Sequence, residues 1–343
     1  MPRIPLLDGA SPEIGSVAYG MMGLTWNDPN PPREQSLATM RAAFESGATF
    51  WNAGTLYGTE EYNSTHLLHD YFSKYPDDAD KVVVSIKGAT VPPPKYIDGS
   101  EENIRRAVEK CLHVLDGKKA IDLFELGRVD PLVPIETSLR ALSQLQKEGK
   151  IRGIGLTEVS ASTIRRAVAI TPIAAVEVEL SLATTDVLYN EIAATCAELD
   201  IPLVAWGAMG RGMFTSKHVR RNADIPEGDH RKHMPKFQDE VLERNNRLID
   251  EIAKLADRKG CSLPQIALAW VLRLSHSQMP NGTRLGLIIP LAGSSAPQRV
   301  TDNMKSVDVS LTDEEMKEIW KIIETNPVTG ERYPPHILRF SQY

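Results

Sequence analysis

The sequence predicts an α/β fold in which eight parallel strands and their helices close into a (β/α)8 barrel. Eight short segments rich in apolar and β-branched residues recur along the 343 residues, and segments with helical periodicity separate them. Several short segments are apolar almost throughout, which is typical of parallel strands covered on both faces. Such alternation over this length fits one closed barrel. The expected strands are Ser16–Tyr19, Thr49–Asn52, Val82–Ile86, Ile121–Leu126, Ile151–Leu156, Ala174–Leu180, Pro202–Trp206 and Leu285–Ile289.

The segments between the expected strands carry apolar residues three or four positions apart, the spacing of a helix with one buried face. Most of these stripes stop at a glycine, which readily takes the left-handed conformation that closes a helix. A further helix is expected to begin at Ser262 and Pro264, because serine and proline favour the first positions of a helix. The clearest stripes are Leu37–Phe44, Ile104–Leu115, Ile135–Leu145 and Leu248–Leu255, followed by Gly47, Gly117, Gly149 and Gly260.

A doubly wound open sheet is the alternative architecture. Such a sheet usually carries the glycine-rich turn G-x-G-x-x-G after its first strand, whereas Gly20–Gly23 here reads Gly-Met-Met-Gly. The barrel is therefore favoured. Residues 211–240 are polar and contain prolines, which predicts a long loop after the seventh strand, and the chain from Leu311 adds a helix and a polar tail. No linker or repeat divides the chain, so residues 1–343 are expected to form one domain.

The composition excludes several classes of protein. The chain has 39 basic and 45 acidic residues, a net charge of -6, which argues against binding to nucleic acid. Its apolar runs are too short for a membrane-spanning helix, and the first residues lack the apolar core of a signal peptide. Three widely spaced cysteines suggest neither a disulfide framework nor a zinc site. We expect a cytoplasmic, metal-free enzyme or binding protein.

A tyrosine and a lysine follow neighbouring strands of the expected barrel. Catalytic groups of such barrels lie on the loops at the carboxyl ends of the strands. Tyr57 comes shortly after the second strand and Lys87 ends the third, so the two side chains can converge at the barrel mouth. A free phenol has a pKa of about 10, and an adjacent ammonium lowers it towards the working range of a proton donor. Taken singly, a tyrosine in a loop is usually a packing residue and a lysine is usually solvated, and only their joint placement makes the catalytic interpretation about as strong.

Four motifs, in order along the chain, resemble the aldo-keto reductases. They are Asn52–Gly54 with Tyr57-Gly58, Ile86–Gly88, Gly153–Leu156 and Pro290–Gly293. The resemblance covers essentially the whole chain. Within the family, the chain is most similar to the pyridoxal reductase branch. The segments that carry this second resemblance are Trp51–Gly54, Asp122–Phe124, Arg128–Pro131, Glu158–Ser160 and Pro172–Glu179.

The resemblance implies an NADPH-dependent reduction of an aldehyde to an alcohol, with pyridoxal reduced to pyridoxine as the specific reaction. Hydride would pass from the nicotinamide to the carbonyl carbon while Tyr57 gives a proton to the oxygen, with Lys87 beside it. Two alternatives remain. The chain could be a generalist aldehyde and ketone reductase, or a nucleotide-sensing regulatory subunit with weak activity. Retention of Tyr57 and Lys87 favours an enzyme.

Two catalytic positions depart from the common family pattern. Asn52 stands where most members have an aspartate that pairs with the lysine. Asparagine can accept a hydrogen bond from Lys87 but cannot neutralise it, so we expect a less compensated ammonium or a lysine pKa lowered by burial. Gly127 stands where most members have a histidine. We interpret this as room for a bulky aromatic aldehyde beside Arg128, and an inactive site is the alternative.

Other residues are expected around the cofactor and substrate by the same resemblance. Trp206 would stack on the nicotinamide, and Thr157, Glu158 and Glu177 would meet its carboxamide; an ionised Glu177 would favour the oxidised cofactor, unless the side chain turns outward. The full cofactor set is Gly20, Met21, Thr157, Glu158, Glu177, Trp206, Gly207, Met209, Arg211, Gly293, Ser294, Ser295, Arg299 and Asn303, and the substrate set is Met22, Trp26, Gly127 and Arg128.

The loop after the eighth strand bears on the choice of cofactor. Ser294, Ser295 and Arg299 suit the 2′-phosphate of NADPH, since hydroxyl groups and a guanidinium at a helix start bind phosphate oxygens. Asn303 would contact the adenine. Gly293 takes the place of a lysine that many members of the family use in this loop, which weakens the preference for NADPH over NADH.

Overall fold

The computed structural model describes residues 2–4, 9–10, 12–26, 29–91, 95–215 and 219–342. Eight parallel strands close into a barrel in chain order, with the first strand paired to both the second and the eighth. The predicted fold class is confirmed. The strands are β1 Ala18–Gly20, β2 Phe50–Gly54, β3 Val83–Gly88, β4 Leu123–Leu126, β5 Gly153–Thr157, β6 Ala175–Glu179, β7 Leu203–Trp206 and β8 Ile288–Gly293.

All eight expected strands are present, and the eighth differs most from its expected bounds. It was expected over Leu285–Ile289, but β8 begins at Ile288 and runs to Gly293. Leu285 and Gly286 instead form backbone hydrogen bonds with the turn that follows the preceding helix, at Ser277 and His276. That turn takes the backbone groups that would otherwise extend the strand towards its amino end.

Helices cover the outside of the barrel, as the periodicity predicts. Serine caps begin three of them, because the side chains of Ser100, Ser160 and Ser262 accept a hydrogen bond from the first helical turn. In the described part of the chain the α-helices are α1 Met22–Thr25, α2 Arg33–Glu45, α3 Ser64–Lys74, α4 Glu101–Leu115, α5 Ile135–Lys147, α6 Ala161–Val168, α7 Ile192–Glu198, α8 Asp239–Lys259, α9 Leu263–Leu274, α10 Pro297–Met304, α11 Asp313–Thr325 and α12 Pro335–Leu338.

The long loop after β7 is also confirmed. Among the residues described between β7 and α8, which leave out 216–218, the helical elements are short 3-10 turns at Gly210–Gly212, Asn222–Asp224, His230–His233 and Pro235–Phe237. The tail after α11 differs from the polar end that was expected. It buries Arg332, Tyr333 and Phe340, and it packs against the loops that follow the barrel strands.

The barrel interior changes character from one end to the other. Inward-facing positions alternate along each strand, and those at the amino ends, such as Phe50, Val83 and Leu123, form an apolar cluster with Ile4 and Ile14. One or two inward positions further along, the same strands carry buried polar residues. The polar interior therefore lies at the carboxyl ends of the strands. No helix among the described residues has both the length and the apolar character needed to span a bilayer.

Candidate active site

The barrel brings Tyr57 and Lys87 together at the carboxyl ends of β2 and β3. The ammonium nitrogen of Lys87 lies 5.7 Å from the centre of the Tyr57 ring. Lys87 is buried, whereas Tyr57 is partly exposed at the barrel mouth. The ring of Trp26, in the loop after β1, lies 5.3 Å from that of Tyr57. The phenol, the ammonium and the aromatic side chain that the sequence predicts at the barrel mouth are therefore close together in the structure.

Local backbone geometry holds Tyr57 over the end of β2. Its amide donates a hydrogen bond to the carbonyl of Gly54 at 3.1 Å, and its own carbonyl accepts one from the hydroxyl of Thr25 at 2.6 Å. A side chain at Gly54 would begin only 3.1 Å from the tyrosine ring. Glycine is needed there because the ring folds back onto its own strand.

Lys87 lies among acidic side chains from the neighbouring strand β4 and from β6. Its ammonium donates to the Oδ1 of Asn52 and, at 2.7 Å, to Oε2 of Glu177 on β6, and Oε2 of Glu125 on β4 lies 3.7 Å away. We call Asn52, Lys87, Glu125 and Glu177 the Lys87 cluster. The expectation that Asn52 leaves the ammonium poorly compensated is wrong. Two buried carboxyl groups, of Glu177 and Glu125, lie beside the ammonium where the usual aspartate is missing.

Glu125 is the member of this cluster that sequence reasoning missed. Its carboxylate accepts hydrogen bonds from the hydroxyls of Ser85 and Thr157, the latter at 2.9 Å, and from the Asn52 amide at 3.0 Å. Its strand partner is Gly155, where a Cβ would lie 2.6 Å from Glu125 Cγ, so the glycine makes room for this side chain. A single glutamate within the otherwise apolar β4 was the available signal.

The electrostatics of the Lys87 cluster follow from its two carboxylates. Burial acts to lower the pKa of Lys87, but Glu125 and Glu177 outweigh it, and the net pKa is raised. The alternative expectation, that burial lowers this pKa, is therefore also wrong. Burial raises the pKa of Tyr57, and the nearby ammonium only partly opposes that effect. Both groups thus hold their protons at neutral pH, which suits a proton donor.

Glu177 faces into the barrel, not outward. Its pKa is raised to about 8, chiefly by burial, with Lys87 opposing and Glu125 adding to the rise. Its carboxyl group contacts Lys87 and Asn52, and Thr157 beside it donates to Glu125. The predicted role of Glu177 and Thr157 at a nicotinamide carboxamide stays a prediction.

The expected substrate residues lie on the rim. Met22 and Trp26 are exposed, by 38% and 43%, and Trp26 lies next to Tyr57, whereas Met21 is fully buried. A Cβ at Gly127 would lie 3.1 Å from the carbonyl oxygen of Gly88, so close packing of β4 on β3 itself favours glycine there. The glycine at position 127, which was interpreted as room for the substrate, is therefore explained in part by the packing of the barrel strands.

Arg128 points towards the C-terminal tail. It donates to the hydroxyl of Tyr333 at 3.1 Å, and its guanidinium lies 5.8 Å from the centre of that ring. Tyr333 was not singled out from the sequence, because nothing local shows that the tail returns to the barrel. Tyr333 also lies 6.4 Å from the Trp206 ring, so it joins the substrate side of the mouth to the expected nicotinamide side.

A second charged cluster lies at the rim beside β6 and β7. Arg332 in the tail donates two hydrogen bonds to Glu158, at 2.9 and 2.7 Å, and one to Glu179 at 2.8 Å. Arg211 donates to both carboxylate oxygens of Glu179, at 2.9 and 2.6 Å. We call Glu158, Glu179, Arg211 and Arg332 the Arg332 cluster. Arg332 and Glu179 were not predicted as site residues.

Five predicted cofactor residues belong to this rim. Trp206 donates from its ring nitrogen to Glu158 at 2.9 Å, and the Arg211 guanidinium lies 4.8 Å from the centre of the Trp206 ring. Glu158 and Arg211 have φ values of 59° and 54°, a strained conformation that is commonest at functional positions. Gly207 and Met209 lie in the turn between Trp206 and Arg211. Their contacts with a cofactor stay predictions.

The phosphate site expected after β8 has a geometry that fits an anion. Arg299 at the start of α10 lies 3.3 Å from the hydroxyl of Ser294 and 3.2 Å from that of Ser295. No side chain caps the first turn of α10, so its backbone N–H groups complement the same anion. Asn303 lies buried on the next turn, and Gly293 pairs with Gly20 of β1 at the base of this loop.

Comparison with known proteins identifies a family. The family model described as "Aldo/keto reductase family" matches residues 16–324. A relative named "Probable pyridoxal reductase 2", from Schizosaccharomyces pombe, is 37% identical over 335 residues, covering 96% of this chain and 97% of that protein. A relative from Saccharomyces cerevisiae also carries pyridoxal reductase in its name, and is 35% identical over 338 residues, covering 92% of this chain and 94% of that protein.

Solved structures agree with the sequence comparison. The structure of a glycerol dehydrogenase from Gluconobacter oxydans superposes with a TM-score of 0.81 at 26% identity, and the match covers 97% of both chains. The similarity thus includes the barrel and the segments that follow it.

Proposed function

The chain belongs to the aldo/keto reductase family, and from this premise we propose that it reduces pyridoxal to pyridoxine with NADPH. It is an oxidoreductase of that family; the substrate and the cofactor are the proposal. The observation that carries it is the buried ammonium of Lys87 beside the partly exposed ring of Tyr57 at the barrel mouth. The names of the relatives from two yeasts support pyridoxal as the substrate.

The chain's own residues supply acid catalysis and alignment. Tyr57 holds a proton on its hydroxyl, and Lys87 favours the phenolate left after that proton is given to the substrate oxygen. Trp26 and Met22 would provide an apolar wall for a flat aromatic aldehyde, because both are exposed and the ring of Trp26 lies beside Tyr57. Arg128 and Tyr333 offer hydrogen-bonding groups at the opposite side of the mouth.

The residues after β8 are compatible with NADPH. Ser294, Ser295 and Arg299 would hold the 2′-phosphate, since two hydroxyls and a guanidinium converge there at a helix start. Trp206 would face the nicotinamide, with Gly207 and Met209 beside the diphosphate. When bound, this cofactor supplies the hydride that reduces the carbonyl carbon. The cytoplasmic location and the lack of a nucleic-acid partner remain predictions from composition.

A panel of carbonyl compounds with NADPH and NADH tests the substrate and the cofactor together. Pyridoxal should show a higher kcat/KM than benzaldehyde and simple ketones, and NADPH should be preferred to NADH. Equal turnover of pyridoxal and simple benzaldehydes would instead indicate a generalist reductase. Tight binding of NADPH without oxidation by any carbonyl would indicate a nucleotide sensor.

The substitution Tyr57→Phe tests the proton donor. We expect kcat to fall by about 100-fold or more, because the acid is lost, while NADPH affinity stays nearly unchanged. Tyr62→Phe is a matched control, since Tyr62 lies in the same loop, is exposed, and its hydroxyl donates to Asp70 at 2.8 Å. Near-normal turnover of Tyr57→Phe would remove Tyr57 from the proposed role.

A further inference from the structure

The Lys87 cluster holds more acidic groups than cations. Its described members contribute one ammonium, from Lys87, and two carboxyl groups, from Glu125 and Glu177, and all three side chains are buried. If both carboxyl groups were ionised, the cluster would carry a net negative charge in the barrel interior. Burying an uncompensated charge is unfavourable, and a group that can neutralise itself by taking up a proton does so.

The two carboxyl groups lie within reach of each other. The amide nitrogen of Asn52 donates to Oε1 of Glu125 at 3.0 Å and to Oε2 of Glu177 at 2.7 Å. Both carboxyl groups also lie near the Lys87 ammonium, Glu177 at 2.7 Å and Glu125 at 3.7 Å. Two ionised carboxylates gathered around the same amide and the same ammonium repel each other, which favours a proton on one of them.

The donors around each carboxyl group indicate which one is ionised. Glu125 accepts from the hydroxyls of Ser85 and Thr157 as well as from Asn52, an arrangement that favours the charged form. Glu177 accepts from Asn52 and Lys87 at the single oxygen Oε2. Its second oxygen can therefore hold the proton while Oε2 keeps both contacts.

We propose that Glu125 and Glu177 share one proton, held on Glu177 in the form of the enzyme that reduces carbonyls, and that loss of this proton weakens Tyr57 as an acid. Glu177 is then a positioning residue that acts through Lys87 and sets the upper pH limit of reduction. The effect on reduction rests on the proposed function, whereas the shared proton does not.

The remaining neighbours of Glu177 do not supply a competing charge. Its register partners on β5 and β7, Thr157 and Val204, are uncharged. Glu179, the next inward residue of β6, is held by Arg211 and Arg332. The titratable or charged groups that face Glu177 are Lys87 on β3, Glu125 on β4 and Tyr57 after β2.

The direction of the pH effect follows from these charges. Ionised Glu177 raises the pKa of Tyr57, and so does Glu125, whereas Lys87 lowers it. As the pH rises past about 8, Glu177 loses its proton and the phenol becomes a weaker acid. Tyr57 itself stays protonated in this range because its own pKa is raised. The first alkaline fall in reductase activity therefore belongs to the carboxyl pair.

The pH profile of kcat/KM between pH 6 and 10 tests this assignment. The wild type should lose about tenfold between pH 7 and 9, and Glu177→Gln should change by less than about twofold over the same range. Glu125→Gln should move the fall to a lower pH by about one unit or more, because Glu177 then loses its acidic neighbour. The control Glu179→Gln, the same substitution on the same strand, should keep the fall where the wild type has it.

Two results would overturn the proposal. One is a Glu177→Gln profile that is uniformly lower but falls at the same pH as the wild type, since that indicates a purely structural role. The other is loss of the alkaline fall in Glu179→Gln as well, because the fall would then not belong to the carboxyl pair.

Thermal unfolding gives a readout without catalysis. A carboxyl group with a raised pKa in the folded state contributes stability below its ordinary value of 4.5 that is lost as the pH rises to about 8. The Tm of Glu177→Gln relative to the wild type should therefore increase from pH 5 to 8. A constant difference overturns the shared proton. A rising difference in a protein that reduces no carbonyl supports the shared proton and refutes the proposed function.

Discussion

Glu177 and Glu179 occupy successive inward positions of β6, both are buried, and their acidities shift in opposite directions. Burial raises the pKa of Glu177 to about 8, because one lysine serves two acidic groups. Burial acts on Glu179 in the same sense, yet Arg211 and Arg332 lower its pKa to about 2. Whether a buried carboxyl group in this barrel is charged is thus decided by how many cations it has for itself, and not by how deeply it is buried.

The two clusters also differ in how they are assembled. The Lys87 cluster is built by barrel strands alone, with Gly155 leaving the space for Glu125. The Arg332 cluster needs the C-terminal tail, since Arg332 spans from the tail to Glu158 and Glu179. One cluster therefore belongs to the barrel wall, and the other holds the C-terminal tail, which the sequence predicted only as a polar end, at the mouth. Three substitutions probe this contrast.

The substitution Arg332→Met should have the largest effect on stability. It leaves the buried carboxylate of Glu158 without its main cation, and breaking a buried ion pair by removing one partner costs about 3–5 kcal/mol. Urea denaturation measures the change in the free energy of unfolding. Arg339→Met, in the same tail but exposed, is the control and should change little. A loss of less than about 1 kcal/mol in Arg332→Met would show that the tail is held by other contacts.

The substitution Glu179→Gln should remove a contribution to folding stability that the wild type keeps at neutral pH and loses in acid. Because the pKa of Glu179 is depressed to about 2 from an ordinary 4.5, its ionised form stabilises the fold above pH 4.5, and this contribution is lost as the pH falls towards 2. The pH-dependent part is on the order of 3 kcal/mol. Unfolding measured between pH 2 and 7 should show the wild type and the variant converging in acid. A gap that stays constant contradicts the assigned ion pairs.

The substitution Gly155→Ala should have the smallest effect and act on the Lys87 cluster alone. The new Cβ would lie 2.6 Å from Cγ of Glu125, so that side chain must move. Overpacking of this kind costs about 1–3 kcal/mol, which urea denaturation resolves. At the control position Gly20, also a strand glycine of the barrel, a Cβ meets only ordinary contacts from 3.5 Å outward. An equal effect of the two alanine substitutions would argue against a reserved space for Glu125.

Much of the architecture could be predicted because it is encoded locally. Apolar segments and helical stripes predict the eight strands, and a shift such as that of β8 arises only where a neighbouring turn captures backbone groups. Tyr57 and Lys87 could be assigned because side chains after parallel strands meet at one end of a barrel. The two side chains come together because of the order of strands and helices along the chain, and exact side-chain distances are not needed to predict it.

The charges around Lys87 could not be predicted in the same way. Asn52 suggested an uncompensated ammonium. The sequence shows that the aspartate is missing, but it does not show which carboxyl groups on other strands lie near Lys87 instead. Glu125 and Glu177 reach Lys87 from β4 and β6 only because the strand register turns all of them inward at the same height. Arg332 is further still, lying 174 positions along the chain from Glu158.

The order of apolar and polar segments in the chain determined a closed barrel with a phenol and an ammonium at its mouth, because strand succession alone sets which loops lie together. Tertiary structure decided the state of those groups. Electrostatic energy depends on distances between side chains that the sequence separates widely, so closure of the barrel and return of the tail determine which carboxyl groups keep a proton and which remain charged.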